Sequence, residues 1–251
     1  MAGHSKWANI KRKKAATDAK RGKVFTRLLK EVQMAAKLGG GSPDANPRLR
    51  SAIQAAKSER VPQDNIERAI KRGTGDMEGV DYEEITYEGY GPGGVAILVK
   101  TLTDNKNRTA GDVRHAFSRS NGNLGGSNSV AYMFSEKGIV LVEKQRITEE
   151  KLLEIALDSG AEDIKDVGES WEITVDPLSY SAVVEVLEKF ELSPQGEIQL
   201  VPASSVLVSG DDARNLMKLL EALDELDDVQ SFTANFEIDD SELEAINSGG
   251  A

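Results

Sequence analysis

The apolar residues between positions 23 and 75 recur every three or four residues, which is the pattern of amphipathic helices. The first apolar stripe ends at the glycines of positions 39–41 and consists of Val24, Phe25, Leu28, Leu29, Val32 and Ala36. Asn46 and Pro47 suit the cap and first turn of a second helix, and a third helix ends at Gly73. We therefore predict a domain of three short helices over residues 23–75, with the tight connections of a helix-turn-helix-like module.

Beyond these helices, strand and helix patterns alternate. Two strand-like runs, 85–87 and 95–101, flank a glycine-rich turn and predict a β-hairpin, followed by a helix at 110–119 and a polar loop at 120–129. Residues 134–203 then show the order strand, helix, strand, strand, helix, strand. This βαββαβ order predicts a ferredoxin-like unit.

The last apolar patterns are a helical stripe and a strand with no neighbouring hairpin to pair with. The stripe and the strand comprise Leu216, Leu219, Leu220, Leu223, Leu226, Phe232, Ala234, Phe236 and Ile238. We expect these elements to return to the hairpin, so that one domain is inserted in another. The predicted fold is α+β and multidomain, with two small α+β (ferredoxin-like) domains after the helical one. Its parts are a basic arm at 1–22, the three-helix domain at 23–75, an α+β domain formed by 80–133 and 204–240, and the inserted domain at 134–203.

The charge along the chain is segregated. The 251 residues carry a formal net charge of -11, but residues 1–75 hold 18 Lys and Arg against 6 Asp and Glu, a net charge of +12. The remaining residues hold 13 basic and 36 acidic side chains, a net charge of -23. A basic segment on an acidic body indicates that one end of the chain meets a polyanion. Two ordinary domains of different isoelectric point are the alternative.

The candidate nucleic-acid contacts lie in the arm and on the first helix. In the arm, cations surround Trp7, whose ring can stack on a base: Lys6, Lys11, Arg12, Lys13 and Lys14. On the first helix, helical spacing predicts one basic face opposite the apolar stripe, formed by Lys20, Lys23, Arg27, Lys30 and Lys37, with Arg21 beside it. The alternative is a solvated tail with Trp7 packed in the helical domain.

Further cations extend the charge over the second and third helices, where simple solvation explains them equally well. They are Arg48, Arg50, Lys57, Arg60, Arg68, Lys71 and Arg72. Their pattern assigns no base-reading role.

The residue types in the sequence give little indication of a catalytic site. Cysteine is absent, and histidine occurs only as His4 and His115, which excludes thiolate chemistry and predicts neither a metal site nor a cofactor. Residues 89–94 fit the glycine spacing of a dinucleotide-binding loop, but a strand follows instead of a helix, which predicts a hairpin turn. The acidic pairs at 211–212, 227–228 and 239–240 have no general-base partner and are predicted to be caps or solvated surface. We expect no enzyme.

No stretch approaches the roughly 18 apolar residues of a membrane helix. The basic start has no apolar core of a signal peptide, so we expect a cytoplasmic protein without a membrane partner, with an organellar transit peptide as the alternative. A protein partner on the acidic domains is compatible with the sequence.

Three long motifs resemble the YebC/PmpR family. They are GHSKWANIKRKKAATDAKRGKVF, NPRLRSAIQAAK with VPQDNIERAIKRG, and YEGYGPGGVAILV with TDNKNRTAGDVRHAFS. The resemblance implies three domains, the first helical and the others α+β, in a cytoplasmic, probable transcriptional regulator that binds DNA. A similar mitochondrial protein is a translational activator of cytochrome c oxidase, which implies RNA or ribosome contact instead. We expect a DNA-binding regulator first and a ribosome- or RNA-associated translation factor as the alternative.

Overall fold

The computed structural model describes residues 18–248, which form two compact units. One unit is Tyr132–Ser205, and the other contains the described residues on both sides of it in the chain. The helices are α1 (Asp18–Gly39), α2 (Pro47–Ser58), α3 (Gln63–Thr74), α4 (Lys106–Arg119), α5 (Glu149–Asp158), α6 (Tyr180–Lys189), α7 (Gly210–Glu225) and α8 (Asp240–Ser248). The strands are β1 (Glu83–Tyr90), β2 (Ala96–Thr103), β3 (Asn123–Leu124), β4 (Phe134–Glu143), β5 (Ala161–Asp166), β6 (Ser170–Val175), β7 (Gln195–Pro202), β8 (Val206–Leu207), β9 (Val229–Ala234) and β10 (Phe236–Glu237).

The three predicted N-terminal helices are confirmed, with α2 and α3 both packed on α1. Their core contains Val32, Leu49 and Ile66, and the predicted stripe residues Phe25, Leu28 and Leu29 pack against it. Helix α1 begins at Asp18, five residues before the predicted start of the three-helix domain, so residues 18–22 of the predicted arm are helical.

Asn46 fixes the connection between α1 and α2. Its Oδ1 accepts a hydrogen bond from the Leu49 amide at 3.0 Å, which caps α2 as predicted. Its Nδ2 donates to the carbonyl oxygens of Ala35 and Gly40 at 2.8 and 2.9 Å. The side chain therefore satisfies backbone groups at the end of one helix and the start of the next.

The same unit contains a four-stranded antiparallel sheet in the order β3-β1-β2-β9. The predicted hairpin is confirmed: β1 pairs with β2 over their full lengths, and Gly93 and Gly94 adopt positive φ angles in the turn. Helices α4 and α7 cover one face of the sheet, and the shared core includes Phe117, Leu220 and Phe232. The two-layer α+β architecture is as expected. Its two central strands, β1 and β2, are joined directly by the hairpin and not through a helix.

Three elements of this unit were not predicted. The polar loop contains the short strand β3, which pairs with β1. The final apolar strand breaks at Asn235, so that β9 pairs with β2 while β10 pairs in parallel with β8. Helix α8 extends beyond residue 240, and its Leu243 and Ile246 pack against the core. Apolar residues three positions apart after Asp239 were the available signal for α8.

The Tyr132–Ser205 unit is the predicted ferredoxin-like fold. Its antiparallel sheet has the order β5-β6-β4-β7, in which β6 lies between the two strands that α5 connects. The core between the sheet and helices α5 and α6 includes Val140, Leu152, Ile173 and Leu187. This connectivity is the split βαβ arrangement expected from the sequence order.

Candidate nucleic-acid interface

The predicted binding residues are only partly within the described chain. Lys6, Trp7 and residues 11–14 lie outside the described residues. The backbones of Lys20 and Arg21 belong to α1, but their side chains are outside the description. The structure therefore bears on the predicted contacts Lys23, Arg27 and Lys30, and on the additional cations of the three helices.

The predicted basic face of α1 contacts acidic groups of the same unit. Arg27 forms an ion pair with Asp224 at 3.0 Å, and Lys23 lies 3.5 Å from Asp227. Lys30, predicted on this face as a nucleic-acid contact, is buried. Helical spacing located the three cations on one face, but it could not show what packs there.

Lys37, the last cation of this face, is exposed and forms an ion pair with Asp81 in the segment that follows α3. Its ammonium also donates to the Tyr82 carbonyl at 3.0 Å. Each described cation of the α1 face therefore has an acidic partner within its own unit.

Asp228 is the centre of a buried polar cluster between α1, α4 and the end of α7. Its carboxylate accepts hydrogen bonds from Lys30 at 2.9 Å, from Arg108 at 2.7 Å and from Thr109 at 2.7 Å. Burial alone would raise the pKa of Asp228, but the hydrogen bonds from Arg108, Lys30 and Thr109 outweigh it and lower the pKa to about 2. The carboxylate is therefore ionised throughout the physiological range.

The acidic pair at 227–228 was predicted to be a cap or solvated surface; Asp227 is exposed, but Asp228 is buried in this cluster, which corrects the prediction for Asp228. An open cleft of about 860 Å³ lies beside the cluster and is lined by residues of α1, α4 and the turn after α7. Because the buried carboxylate already binds two cations and a hydroxyl, it is a poor general base.

A second buried carboxylate, Glu88, is also bound by the protein itself. It accepts hydrogen bonds from the amides of Asn128, Val130 and Ala131 at 2.7, 2.8 and 2.8 Å. Burial would raise the pKa of Glu88, but these backbone hydrogen bonds lower it overall. The carboxylate anchors the polar loop that ends the first part of this unit, which is a structural task.

Apart from Lys37, the described cations of the helical region that remain exposed lie on α2, α3 and their connection. Arg48 is an exception, since it forms ion pairs with Glu31 at 2.7 Å and with Glu84 at 2.6 Å. The exposed cations that form no ion pair with a described residue are Arg50, Lys57, Arg60, Arg68, Lys71 and Arg72. Three exposed carboxylates, Glu59, Asp64 and Glu67, lie in the same stretch, and an exposed fourth, Asp44, lies just before α2. The accessible surface of α2 and α3 is therefore net positive.

Other kinds of site are not evident in the described part of the chain. Between residues 18 and 248, no group of three or more His, Asp and Glu side chains is placed to hold a metal ion. His115 is exposed on α4, as expected of a surface histidine. No helix in this stretch is both long enough and apolar enough to cross a membrane.

Fold and charge together define a multidomain α+β protein with a basic helical N-terminal region. Residues 5–76 match the family described as the TACO1/YebC protein N-terminal domain, and residues 82–236 match the TACO1/YebC second and third domain. The chain therefore belongs to the TACO1/YebC family.

Similar proteins span nearly the whole chain. A probable transcriptional regulatory protein of Gemmatimonas aurantiaca is 56% identical over 245 residues, covering 97% of this chain and 99% of its own length. One of Koribacter versatilis is 52% identical over 247 residues, covering 98% and 99%. The crystal structure of a conserved hypothetical protein from Aquifex aeolicus has a TM-score of 0.76 and 47% identity, and the match covers 89% of this chain and 93% of that one.

Proposed function

We propose that this protein is a DNA-binding regulator of gene expression, acting in transcription. The observation that carries the proposal is the segregation of charge, with +12 in residues 1–75 and -23 in the remainder. A polyanion is the partner that such a basic segment recognises. The relatives named as probable transcriptional regulatory proteins support DNA as that polyanion.

We assign the interface to the arm and to the exposed surface of α2 and α3. The cations at positions 11–14 remain the first candidates, with Trp7 as the stacking group. The six exposed cations of α2, α3 and their connection are accessible without any rearrangement. In the described arrangement, Lys23, Arg27 and Lys30 contact acidic groups of the protein and are the weaker candidates.

Salt titration of affinity tests this interface on the full-length protein. Each phosphate contact contributes a slope of about -0.9 to the dependence of log affinity on log salt for duplex DNA. Changing residues 11–14 to Ala is expected to flatten the slope by up to about four units if all four cations contact phosphate. The second variant changes Lys57, Arg60, Lys71 and Arg72 to Ala and is expected to flatten it by a similar amount.

A matched control keeps the change in net charge but moves it away from the helical region. It replaces four exposed lysines by Ala: Lys151, Lys165, Lys189 and Lys218. This control should retain the wild-type slope. If the control flattens the salt slope as much as the other two variants do, the interface is assigned incorrectly. If the wild type binds neither duplex DNA nor structured RNA, nucleic-acid binding itself is refuted.

The same titration on structured RNA separates the two regulatory roles. Tighter binding to DNA supports the transcriptional role. A preference for RNA of tenfold or more would replace it with the alternative of a ribosome- or RNA-associated translation factor. The basic surface alone is compatible with either polyanion, because phosphate contacts carry no sequence information.

A further inference from the structure

The basic face of α1 meets a row of oxygen atoms at the end of α7. Lys23, Arg27 and Lys30 are spaced by four and three residues, so they lie along one side of the helix. Opposite them, the last turn of α7 and the following residues 226–228 present carboxylates and main-chain carbonyl groups. We call residues 224–228 the acidic turn.

The acidic turn contacts all three cations with both kinds of oxygen. Asp224, Asp227 and Asp228 supply the ion-paired carboxylates. The carbonyl of Glu225 accepts from Lys23, that of Asp224 accepts from Arg27, and that of Asp227 accepts from Lys30 at 3.0 Å. The carbonyl groups of Asp224 and Glu225 belong to the last turn of α7, and the carbonyl end of a helix carries partial negative charge that adds to the three carboxylates. Chemically, the acidic turn resembles a short stretch of phosphate backbone.

The side chains in the contact between α1 and the acidic turn become progressively more buried from Lys23 to Lys30. The exposed fractions of the side chains of Lys23, Arg27 and Lys30 are 29%, 17% and 9%. The carboxylate of Asp227 at the outer end is 80% exposed, whereas that of Asp228 at the inner end is 9% exposed. The outer ion pairs can therefore exchange partners while the buried pair keeps the helix in place.

Arg27 is incompletely satisfied in this arrangement. Its two terminal nitrogen atoms donate to Asp224, but its Nε is buried and has no hydrogen-bond partner among the described residues. An unsatisfied buried donor is unfavourable, so the closed arrangement leaves part of the hydrogen-bonding capacity of Arg27 unused. The outer end of the face also adjoins, in sequence, the basic residues that precede Lys23.

We propose that the basic face of α1 is a polyanion-binding surface that the acidic turn of the same chain occupies, so that nucleic acid and the acidic turn compete for Lys23 and Arg27. The ligand class rests on the proposed function. In the free protein the acidic turn closes the face. A polyanion that displaces the outer carboxylates contacts Lys23 and Arg27 as well, and its affinity then depends more steeply on salt.

The test weakens the acidic turn without touching the buried Asp228. The variant Asp224→Asn with Asp227→Asn removes the two outer carboxylates. A matched control, Asp211→Asn with Asp212→Asn, removes two exposed carboxylates from the other end of the same helix. Both variants change the net charge equally, so any difference between them reports on the acidic turn.

Two probes are used on the full-length proteins. Heparin, a sulfated polyanion, reports whether the face opens irrespective of any nucleic-acid function. Duplex DNA reports whether the opened face serves the proposed function. We expect the acidic-turn variant to elute from heparin at higher salt than the control and to steepen the DNA salt slope by about two units, since each added phosphate contact contributes about -0.9.

The outcomes separate the two proposals. Coelution of both variants from heparin overturns competition, because the gain would then reflect net charge alone. Later elution of the acidic-turn variant, with no DNA or RNA binding by any of the proteins, supports competition and refutes the proposed function. Hydrogen exchange at residues 224–230 gives a second measurement: heparin should accelerate exchange in the wild type, and unchanged exchange would show that the acidic turn stays closed.

Discussion

Replacing Asp228 by Asn should destabilise the unit that contains the helical region more than any surface change. Asp228 is 7% exposed and binds Lys30, Arg108 and Thr109. Its pKa of about 2, against 3.8 for an unperturbed aspartate, corresponds to about 2 kcal/mol of stabilisation at neutral pH. The substitution also leaves the Lys30 ammonium buried without its counter-charge. Loss of one partner of a buried pair costs about 3–5 kcal/mol, which is the expected effect.

The loss of unfolding free energy caused by Asp228→Asn should depend on pH in one direction. The folded-state pKa of Asp228 is lowered, so its contribution is complete above the unfolded value of 3.8 and is lost as the pH falls towards 2. The difference in unfolding free energy between the wild type and Asp228→Asn should therefore be constant from neutral pH to about pH 5. It should decrease between about pH 4 and pH 2.

Urea unfolding followed by far-ultraviolet circular dichroism measures the effect. In a Trp7→Phe background, the fluorescence of Trp171 reports on the Tyr132–Ser205 unit and serves as an internal control. A double variant that also carries Lys30→Met should recover part of the loss, because it removes the unpaired buried charge. A loss below about 1 kcal/mol, or no recovery, would refute the argument that this buried pair stabilises the fold.

Further substitutions probe other contacts. Gly73→Ala should destabilise by about 1–3 kcal/mol, since its Cβ would lie 2.3 Å from the Gln33 carbonyl oxygen. The control Gly111→Ala, in the interior of α4 with open space around it, should stabilise by about 0.5–1 kcal/mol; equal thermal melts for the two would contradict this reasoning. Glu88→Gln should cost about 1–3 kcal/mol in urea unfolding, because a neutral amide accepts the three loop amides less well. Excised residues 132–205 should melt cooperatively, since their sheet and core are complete, and a disordered dichroism spectrum would exclude independent folding.

The sequence by itself determined most of the secondary structure and the order of the elements. The stripe from Phe25 to Ala36 and the Asn46–Pro47 cap predicted α1 and α2 because helical periodicity and capping are local properties. The βαββαβ order of residues 134–203 predicted the ferredoxin-like unit because few topologies fit that order. The charge asymmetry was visible at the same level, since it needs only a count along the chain.

Tertiary structure decided which charged side chains are accessible and where the last strand leaves the sheet of the unit that contains the helical domain. Helical spacing placed Lys23, Arg27 and Lys30 on one face, but only the fold brings residues 224–228 against them, about 200 positions later in the chain. Asp228 was indistinguishable from its exposed neighbour Asp227 because burial depends on packing between distant segments. The break at Asn235 follows from a contact of the same kind: its side chain accepts a hydrogen bond from the Ala96 amide at 2.7 Å, and β10 then leaves the sheet. Local pattern fixes periodicity and cap chemistry, whereas long-range packing determines the partner of each polar group.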